Sequence, residues 1–590
     1  MPVPHAPVAT APARVEHREQ RLSKKHWGLL LLAGWLFQAG LRAWLGRGAS
    51  VPLANPDETA YLIAARVLAG GAGANLGHST LYPVGYPLLI SPVFWFTRNP
   101  VTAYHGVVLV NSLVSALLMP LSYVACRRLG LTSRPLAYGV AMVTALLPAG
   151  LFYSEYAMSD AIFPVLVLAW LLTTHSWLIA TTERDRYLAA AGSALLTGYA
   201  YAVHSRGAVL VAGYLGVLVI MVLWRRHRGS AILAGSIVVG CCALAFTLNR
   251  LLESQIYPQG PRSMTAEVAA RLGTMRGIIL VLEMATGQMW RLSLDSWGVA
   301  ALGMAAVVVA IARSRQYQPL AVDTRIIACL ALAITLAIAI TTPAALPADQ
   351  PQQWASGRYL DCMIVTFFLP GMVVLLRAGR QRLLIYALCV APPTMIAAII
   401  VDAYATSSVP TLGFGAAFNF GEPAFLTGNW TQANVALATA VALGLLAVWV
   451  AVAALLPSAR VWVLLVGLTA VSVTADVQMT DHITNANQQI ARATEVQPLA
   501  GLRPGQQLAI STALGWQLQT PQMYEMSWTG QVFFNPVTQS PPAGVTEVEV
   551  PWLNGQSEQA SWPTAPPGWH IADGSATAGW VVWETGTPAR

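Results

Sequence analysis

Directly after the first long apolar run, Asn55-Pro56-Asp57-Glu58 sets two carboxylates side by side, with Tyr61 close behind. Holding two such groups together at an apolar boundary is costly, and the arrangement can raise one pKa enough for general-base work. The same residues also suit a plainer task, because acidic side chains favour the first turn of a helix beginning near Thr59. A further acid, Asp160, ends the segment Ser154-Glu155-Tyr156-Ala157-Met158-Ser159-Asp160. Two arginines stand at the ends of apolar runs, in His204-Ser205-Arg206 and Gly357-Arg358-Tyr359. Charge near a membrane is expensive, so each implies a functional partner unless its long side chain merely reaches back to the interface. Tyr61 and Tyr359 suit interfacial anchoring as well as ligand contact. The six cysteines, Cys126, Cys241, Cys242, Cys329, Cys362 and Cys389, lie in or beside apolar segments, which argues against a disulfide framework. No CxxC pair or His/Cys cluster at zinc spacing occurs.

These residues need a scaffold, and composition says which kind. With 55% hydrophobic and 10% charged residues over 590 positions and a mean hydropathy of +0.55, polar side chains are too few to cover a water-soluble globule. A lipid-facing surface is required. Apolar runs close to the roughly 20 residues that cross a bilayer recur along the chain. They fall at 27–45, 101–125, 135–152, 160–180, 187–203, 207–224, 231–250, 297–312, 325–342, 361–377, 383–401, 433–456 and 461–475. The expectation is therefore an α-helical polytopic membrane protein with about thirteen transmembrane helices.

Sidedness follows from the basic residues. A Pro/Ala-rich leader, 1–26, ends in Arg18, Arg21, Lys24 and Lys25 and reads as a disordered cytoplasmic tail before an uncleaved anchor. With the N-terminus inside, the cytoplasmic loops hold Arg127, Arg128 and Arg134, then Arg184 and Arg186, Arg225, Arg226 and Arg228, Arg313 and Arg315, Arg377, Arg380 and Arg382, and Arg460. The same threading sends Asp57, Glu58, Glu155, Asp160, Glu253, Glu267, Glu283, Asp295, Asp349, Asp361, Asp402, Glu422, Asp476 and Asp481 outside and leaves Glu16, Glu19, Glu183, Asp185 and Asp323 inside. The net charge of +8 is thus explained by topology; the arginines form no continuous stripe of the kind that binds nucleic acid. Three outer loops are long, 46–100, 251–296 and 402–432, and Thr59 to Leu68 reads as an amphipathic helix lying on the membrane surface. After 475 the chain turns polar. A helix near 483–499 and strands at Gln507 to Ser511, Val545 to Val550 and Trp580 to Trp583 predict a small extracytoplasmic α/β domain over 476–590. Its aromatic residues, Trp516, Tyr524, Trp528, Trp552, Trp562 and Trp569, suit a core better than a sugar platform.

An acidic pair in the first outer loop with a helix behind it resembles membrane glycosyltransferases of the GT-C class, among them protein O-mannosyltransferases and the aminoarabinose transferase of lipid A. Tyr82-Pro-Val-Gly-Tyr-Pro87, Leu109-Val-Asn111, Cys126-Arg-Arg-Leu129, Ser154 to Asp160 and Gly357-Arg-Tyr-Leu-Asp361 resemble the same class in order and in side of the membrane. Together they cover residues 27 to 375, the bulk of the transmembrane catalytic region 27–475. Many relatives carry an arginine where this chain has Val110, so one phosphate contact of the class is missing here. The resemblance implies a polyprenyl-phosphate sugar donor and a hydroxyl acceptor on an envelope glycan, lipid or protein, presented outside the plasma membrane. Asp57 would then take the acceptor proton, while Glu58 and Asp160 position acceptor or sugar. Arg206 and Arg358, with Tyr359, would hold the departing phosphate. Glu155, His78, His105, His204 and Tyr61 are further candidates for substrate contact. No cofactor is assigned. A divalent cation beside the acidic pair is compatible with the class but is not demanded by two adjacent carboxylates.

Two other functions fit a polytopic protein: a transporter or flippase of lipid-linked intermediates, and a non-catalytic assembly scaffold. A transporter would be expected to bury ionisable residues near the bilayer midplane, where this sequence has few.

Overall fold

The structure is a computed structural model that describes residues 24–586, except 75, 77–78, 258–259, 314–320, 347–354, 409–417, 494–506, 515–522, 525–529 and 554. Each expected span coincides with helix, because a long apolar run without internal turn residues satisfies its backbone only by coiling on itself. Among the described residues, seven helices are long and apolar enough to cross a membrane: Lys25–Gly48, Pro100–Arg128, Arg228–Ile256, Val322–Ala345, Arg380–Tyr404, Val435–Leu455 and Arg460–Arg492. Two bent pairs raise that number to nine. Phe163–Ile179 and Gly207–Leu223 are shorter apolar helices.

The breaks matter for function. The run expected over 135–152 is not one span: Arg134–Ala145 and Pro148–Glu155 meet at 73°, and Pro148, which lacks a backbone N–H, starts the second piece. Likewise Met275–Leu294, expected within a long outer loop, is an apolar helix that meets Val299–Ala312 at 108°. Both bends turn carboxylates, Glu155 and Asp295, into the protein interior. Small residues let the central helices touch. A Cβ on Gly303 would lie 1.9 Å from the Phe367 carbonyl oxygen, and one on Gly371 would lie 2.1 Å from that of Val299. Only glycine permits that backbone contact.

The helix behind the acidic pair, Asp57–Leu68, departs from expectation. Every residue from Glu58 to Arg66 is buried, so it packs inside the protein and does not lie on the membrane surface. Its cover comes partly from the far end of the chain: Arg66 Nη1 donates to the Met523 carbonyl at 3.1 Å, and the Tyr524 hydroxyl donates to the Pro100 carbonyl at 2.6 Å.

The last apolar helix runs past the expected end at 475 as one continuous Arg460–Arg492, so the helix expected near 483–499 is its extension. Beyond it lies a small sheet. Strands β1 (Gln507–Ser511), β2 (Gly530–Phe534), β3 (Val545–Pro551), β4 (Trp569–Ser575) and β5 (Trp580–Thr585) are ordered β2-β1-β3-β5-β4. β1 is parallel to both neighbours, whereas β3, β5 and β4 are antiparallel. The expected strands are β1, β3 and β5. Trp562 is buried in the sheet's core with Trp552 and Trp569 packed around it, and Tyr524 is buried in the main core; Trp516 and Trp528 lie outside the described residues.

Candidate active site

Asp57 and Glu58 are neighbours in sequence but face different surroundings, as successive positions on a helix must. Glu58 is fully buried. Its Oε1 accepts the backbone N–H groups of Leu53 and Ala54 at 2.7 and 2.8 Å. Its Oε2 accepts the Ala157 N–H at 2.7 Å and the Tyr104 hydroxyl. Burial raises its pKa, and those four donors, Tyr104 foremost, work against the rise. A carboxylate so occupied has no lone pair to offer a substrate. The role expected for Glu58, positioning acceptor or sugar, is therefore replaced by a structural one: it ties the chain before Asp57 to the segment carrying Asp160. Because the two carboxylates diverge, they also form no shared cation site.

Asp57 faces the opposite way, its side chain 20% exposed. One oxygen accepts the Tyr82 hydroxyl and the other accepts Nη2 of Arg358. Arg358 also donates through Nε to Asp160 Oδ2 at 3.1 Å, and Arg206 Nη2 binds the other oxygen of Asp160. Arg206 Nη1 then holds the carbonyls of Arg358 and Tyr359, both at 3.0 Å. The result is an alternating chain, Asp57, Arg358, Asp160, Arg206, drawn from four turns separated by up to 301 residues. Burial alone would raise the Asp160 carboxyl, yet Arg358 and Arg206 hold it well below the ordinary carboxylate range. His204 bonds the Arg206 guanidinium; burial and that positive neighbour push its pKa down, leaving a neutral ring.

Aromatic side chains shape the surroundings. The Tyr61 hydroxyl lies 2.8 Å from Ser159 Oγ, and its ring packs edge-on against Tyr82 and Tyr86 at 5.2 and 5.1 Å. Tyr86 donates to Asn111, which donates to the Tyr156 carbonyl at 2.7 Å. The segments around Tyr82 and Asn111 thus fix the turn that carries Asp160. Gly85 is needed there, since a Cβ would lie 2.6 Å from the Ala202 carbonyl group, two residues before His204.

Of the residues anticipated from sequence, Asp57, Asp160, Arg206, Arg358, His204 and Tyr61 converge. Tyr359 contributes its backbone carbonyl, and its ring lies beside the Arg358 guanidinium. Glu155 is fully buried and accepts the Thr480 hydroxyl, so it binds the last helix and does not face the cluster. His105 is exposed on the helix Pro100–Ser115, apart from these contacts. His78 lies outside the described residues. Tyr82 was not singled out from sequence; its signal was only its place in the aromatic segment before the second span.

The opposite ends of the helices meet through different chemistry. Arg377 binds the Gly130 carbonyl at 2.6 Å, Arg128 binds Ser176 Oγ at 2.8 Å, and Arg226 pairs with Asp323 at 2.7 Å. The turns expected to be basic gather at one end of the bundle, and the acid–arginine chain lies at the other.

No family profile and no curated protein matches the sequence. Among solved structures, ArnT from Cupriavidus metallidurans bound to undecaprenyl phosphate aligns over 95% of this chain and 98% of its own, with 15% identity and a TM-score of 0.52. Its apo form gives 0.51 over the same shares. The Archaeoglobus fulgidus oligosaccharyltransferase aligns over 90% of this chain and 70% of its own at 10% identity, with a TM-score of 0.43. The chain is a multi-pass membrane protein with the GT-C fold displayed by ArnT.

Proposed function

We propose that the protein is an inverting glycosyltransferase that moves a sugar from a polyprenyl-phosphate carrier to a hydroxyl of an envelope glycan, lipid or protein on the outer face of the plasma membrane. The observation that carries this is the Asp57–Arg358–Asp160–Arg206 chain, a general base next to two guanidiniums, at the end of the bundle away from the arginine-rich turns. The fold shared with ArnT, whose structure binds undecaprenyl phosphate, supports the choice of donor. The arginine-rich turns support the orientation in this reading, with the N-terminus inside and the site and C-terminal region 476–590 outside.

The chemistry requires few groups. The acceptor oxygen forms a bond to the anomeric carbon as the bond from that carbon to the phosphate oxygen breaks. The leaving polyprenyl phosphate keeps the bonding electrons, and the acceptor proton passes to Asp57. Arg358 grips the phosphate oxygens, and Arg206, whose N–H groups are already held, adds its positive charge from behind. Because Arg358 also binds Asp57, an arriving phosphate competes for that guanidinium and frees the carboxylate as it docks. A transporter finds less support, since these ionisable groups cluster at helix ends.

The test is transfer of radiolabelled sugar from a panel of synthetic polyprenyl-phosphate sugars to membrane extract, using purified wild-type protein and folded Asp57→Asn. Removing a general base is expected to slow transfer by about 10²–10⁴-fold. An Asp57→Asn variant as active as wild type would remove the base from the scheme, and no transfer from any donor would favour the transporter.

A further inference from the structure

Behind the acid–arginine chain lies a second cluster that the transfer reaction does not use. Asp295 caps the C-terminal end of Met275–Leu294, Asp361 opens Asp361–Arg377, and Glu422 lies in the first turn of Gly421–Thr427. All three are nearly inaccessible, at 0%, 2% and 2% exposure. Arg291 pairs with Asp295 and Glu422 and is itself 1% exposed. Three carboxylates against one guanidinium leave two negative charges in the interior. Burying an uncompensated charge costs several kcal/mol or more, so something must neutralise them. The shortfall is visible at Asp361, neither of whose oxygens meets a hydrogen-bond donor.

We propose that Asp295, Asp361 and Glu422 bind one divalent cation of calcium's kind, and that this ion braces the loop carrying Arg358. One oxygen from each residue lies within 4.8 Å of the others, which matches two calcium–oxygen distances of about 2.4 Å. An all-carboxylate set is hard and offers no nitrogen or sulfur, so it suits Ca²⁺, Mn²⁺ or Mg²⁺ over Zn²⁺. Two positive charges bring the cluster to neutrality with Arg291 still in place.

The link to the site is the five-residue segment Gly357 to Asp361. At one end, a Cβ on Gly357 would lie 2.5 Å from both Arg291 Nη2 and Asp295 Oδ2, so the backbone rests directly on the cluster. At the other end, Asp361 supplies a ligand. Arg358, between them, reaches Asp57 and Asp160. An ion that fixes both ends of the segment fixes the guanidinium it presents. This binding does not depend on the transferase reading, and it is measured without sugar transfer.

Purified full-length protein in detergent is stripped with chelator and dialysed against Ca²⁺, Mn²⁺ or Mg²⁺ alone. Bound metal is counted by plasma mass spectrometry, and thermal unfolding is followed in parallel. The expected result is about one equivalent per chain and a melting temperature several degrees higher with metal than without, both lost in Asp361→Asn and Glu422→Gln. Metal bound equally by wild type and both variants would place the ion elsewhere and overturn the assignment. So would wild-type protein that retains no metal and melts unchanged in chelator; the carboxylates would then be neutralised by protons. If neither variant accumulates, that wild-type comparison decides alone.

Discussion

Asp160→Asn is the sharpest perturbation of the acid–arginine chain, because Asp160 is shared by both arginines. Its side chain is 3% exposed, with Arg206 at 4% and Arg358 at 13%. Asparagine keeps the shape but removes the charge and turns an N–H toward a guanidinium. Arg358 keeps Asp57 as a partner, whereas Arg206 loses its one anionic partner and is left with the backbone carbonyls of Arg358 and Tyr359 and the neutral His204 ring. Removing one member of a buried pair costs about 3–5 kcal/mol, and here the loss falls mainly on Arg206. Transfer should fall by about 10²–10³-fold, as when one preorganised charge contact is deleted from a transition state. Undecaprenyl phosphate should behave in the opposite sense. Its anionic head compensates the two arginines, so it should bind the variant at least as tightly as wild type and restore much of the lost stability, by about 2.7 kcal/mol at a hundredfold excess over Kd. The assay is thermal unfolding in detergent with and without undecaprenyl phosphate, paired with transfer kinetics. A variant with wild-type melting temperature and rate would show that Asp160 does not hold the arginines. A folded variant that no longer binds the lipid phosphate would refute their assignment to phosphate.

Glu58→Gln tests the structural role of its neighbour: an amide nitrogen would face two of the donors that the carboxylate accepts, costing about 2–4 kcal/mol. The melting temperature should drop while the folded fraction keeps its donor KM; a raised KM with unchanged stability would return Glu58 to the substrate. In the C-terminal sheet, burial and the nearby Glu584 raise the Glu547 carboxyl to about 7. A carboxyl with a folded pKa above its unfolded value of 4.5 weakens the fold as pH rises through that window. Because Glu547 is half-buried, screening reduces the effect to about 1–2 kcal/mol. Glu547→Gln should therefore melt higher than wild type at pH 8 and equally at pH 4, and a gain present equally at both pH values would contradict that cause.

Helices were legible because lipid leaves the backbone no other partner, and every expected run became helical, whole or in pieces. The breaks were less legible. Nothing in the hydropathy of 135–152 shows a 73° bend; Pro148 was the available signal, and proline is tolerated inside membrane helices often enough to weaken it. The helix Asp57–Leu68 was misplaced for a related reason. Its apolar residues have helical spacing whether they face lipid or protein, and what decides between them is Met523 and Tyr524, more than 450 residues away and without pattern of their own. β2 and β4 were missed for a different reason: their short runs lack clean alternation, and they become strands because the nearby β1 and β5 offer edges to pair with.

Within the site, residue type was informative and adjacency was not. Asp57 and Glu58 look like one feature in sequence, yet helix geometry sends one into a network of four donors and the other toward Arg358. Separation along the chain hid the opposite case. Asp295, Asp361 and Glu422 resemble ordinary outer-loop acids until one bend and two helix starts bring them together around Arg291. The segment Gly357 to Asp361 joins the two clusters, its ends meeting the carboxylates while Arg358 and Tyr359 between them meet the acid–arginine chain. A mutation at Asp361 should therefore disturb Arg358 without touching substrate. This distinguishes the second cluster from a mere charge-balanced core, since packing alone gives no reason for Ca²⁺ to alter the behaviour of an arginine three residues away.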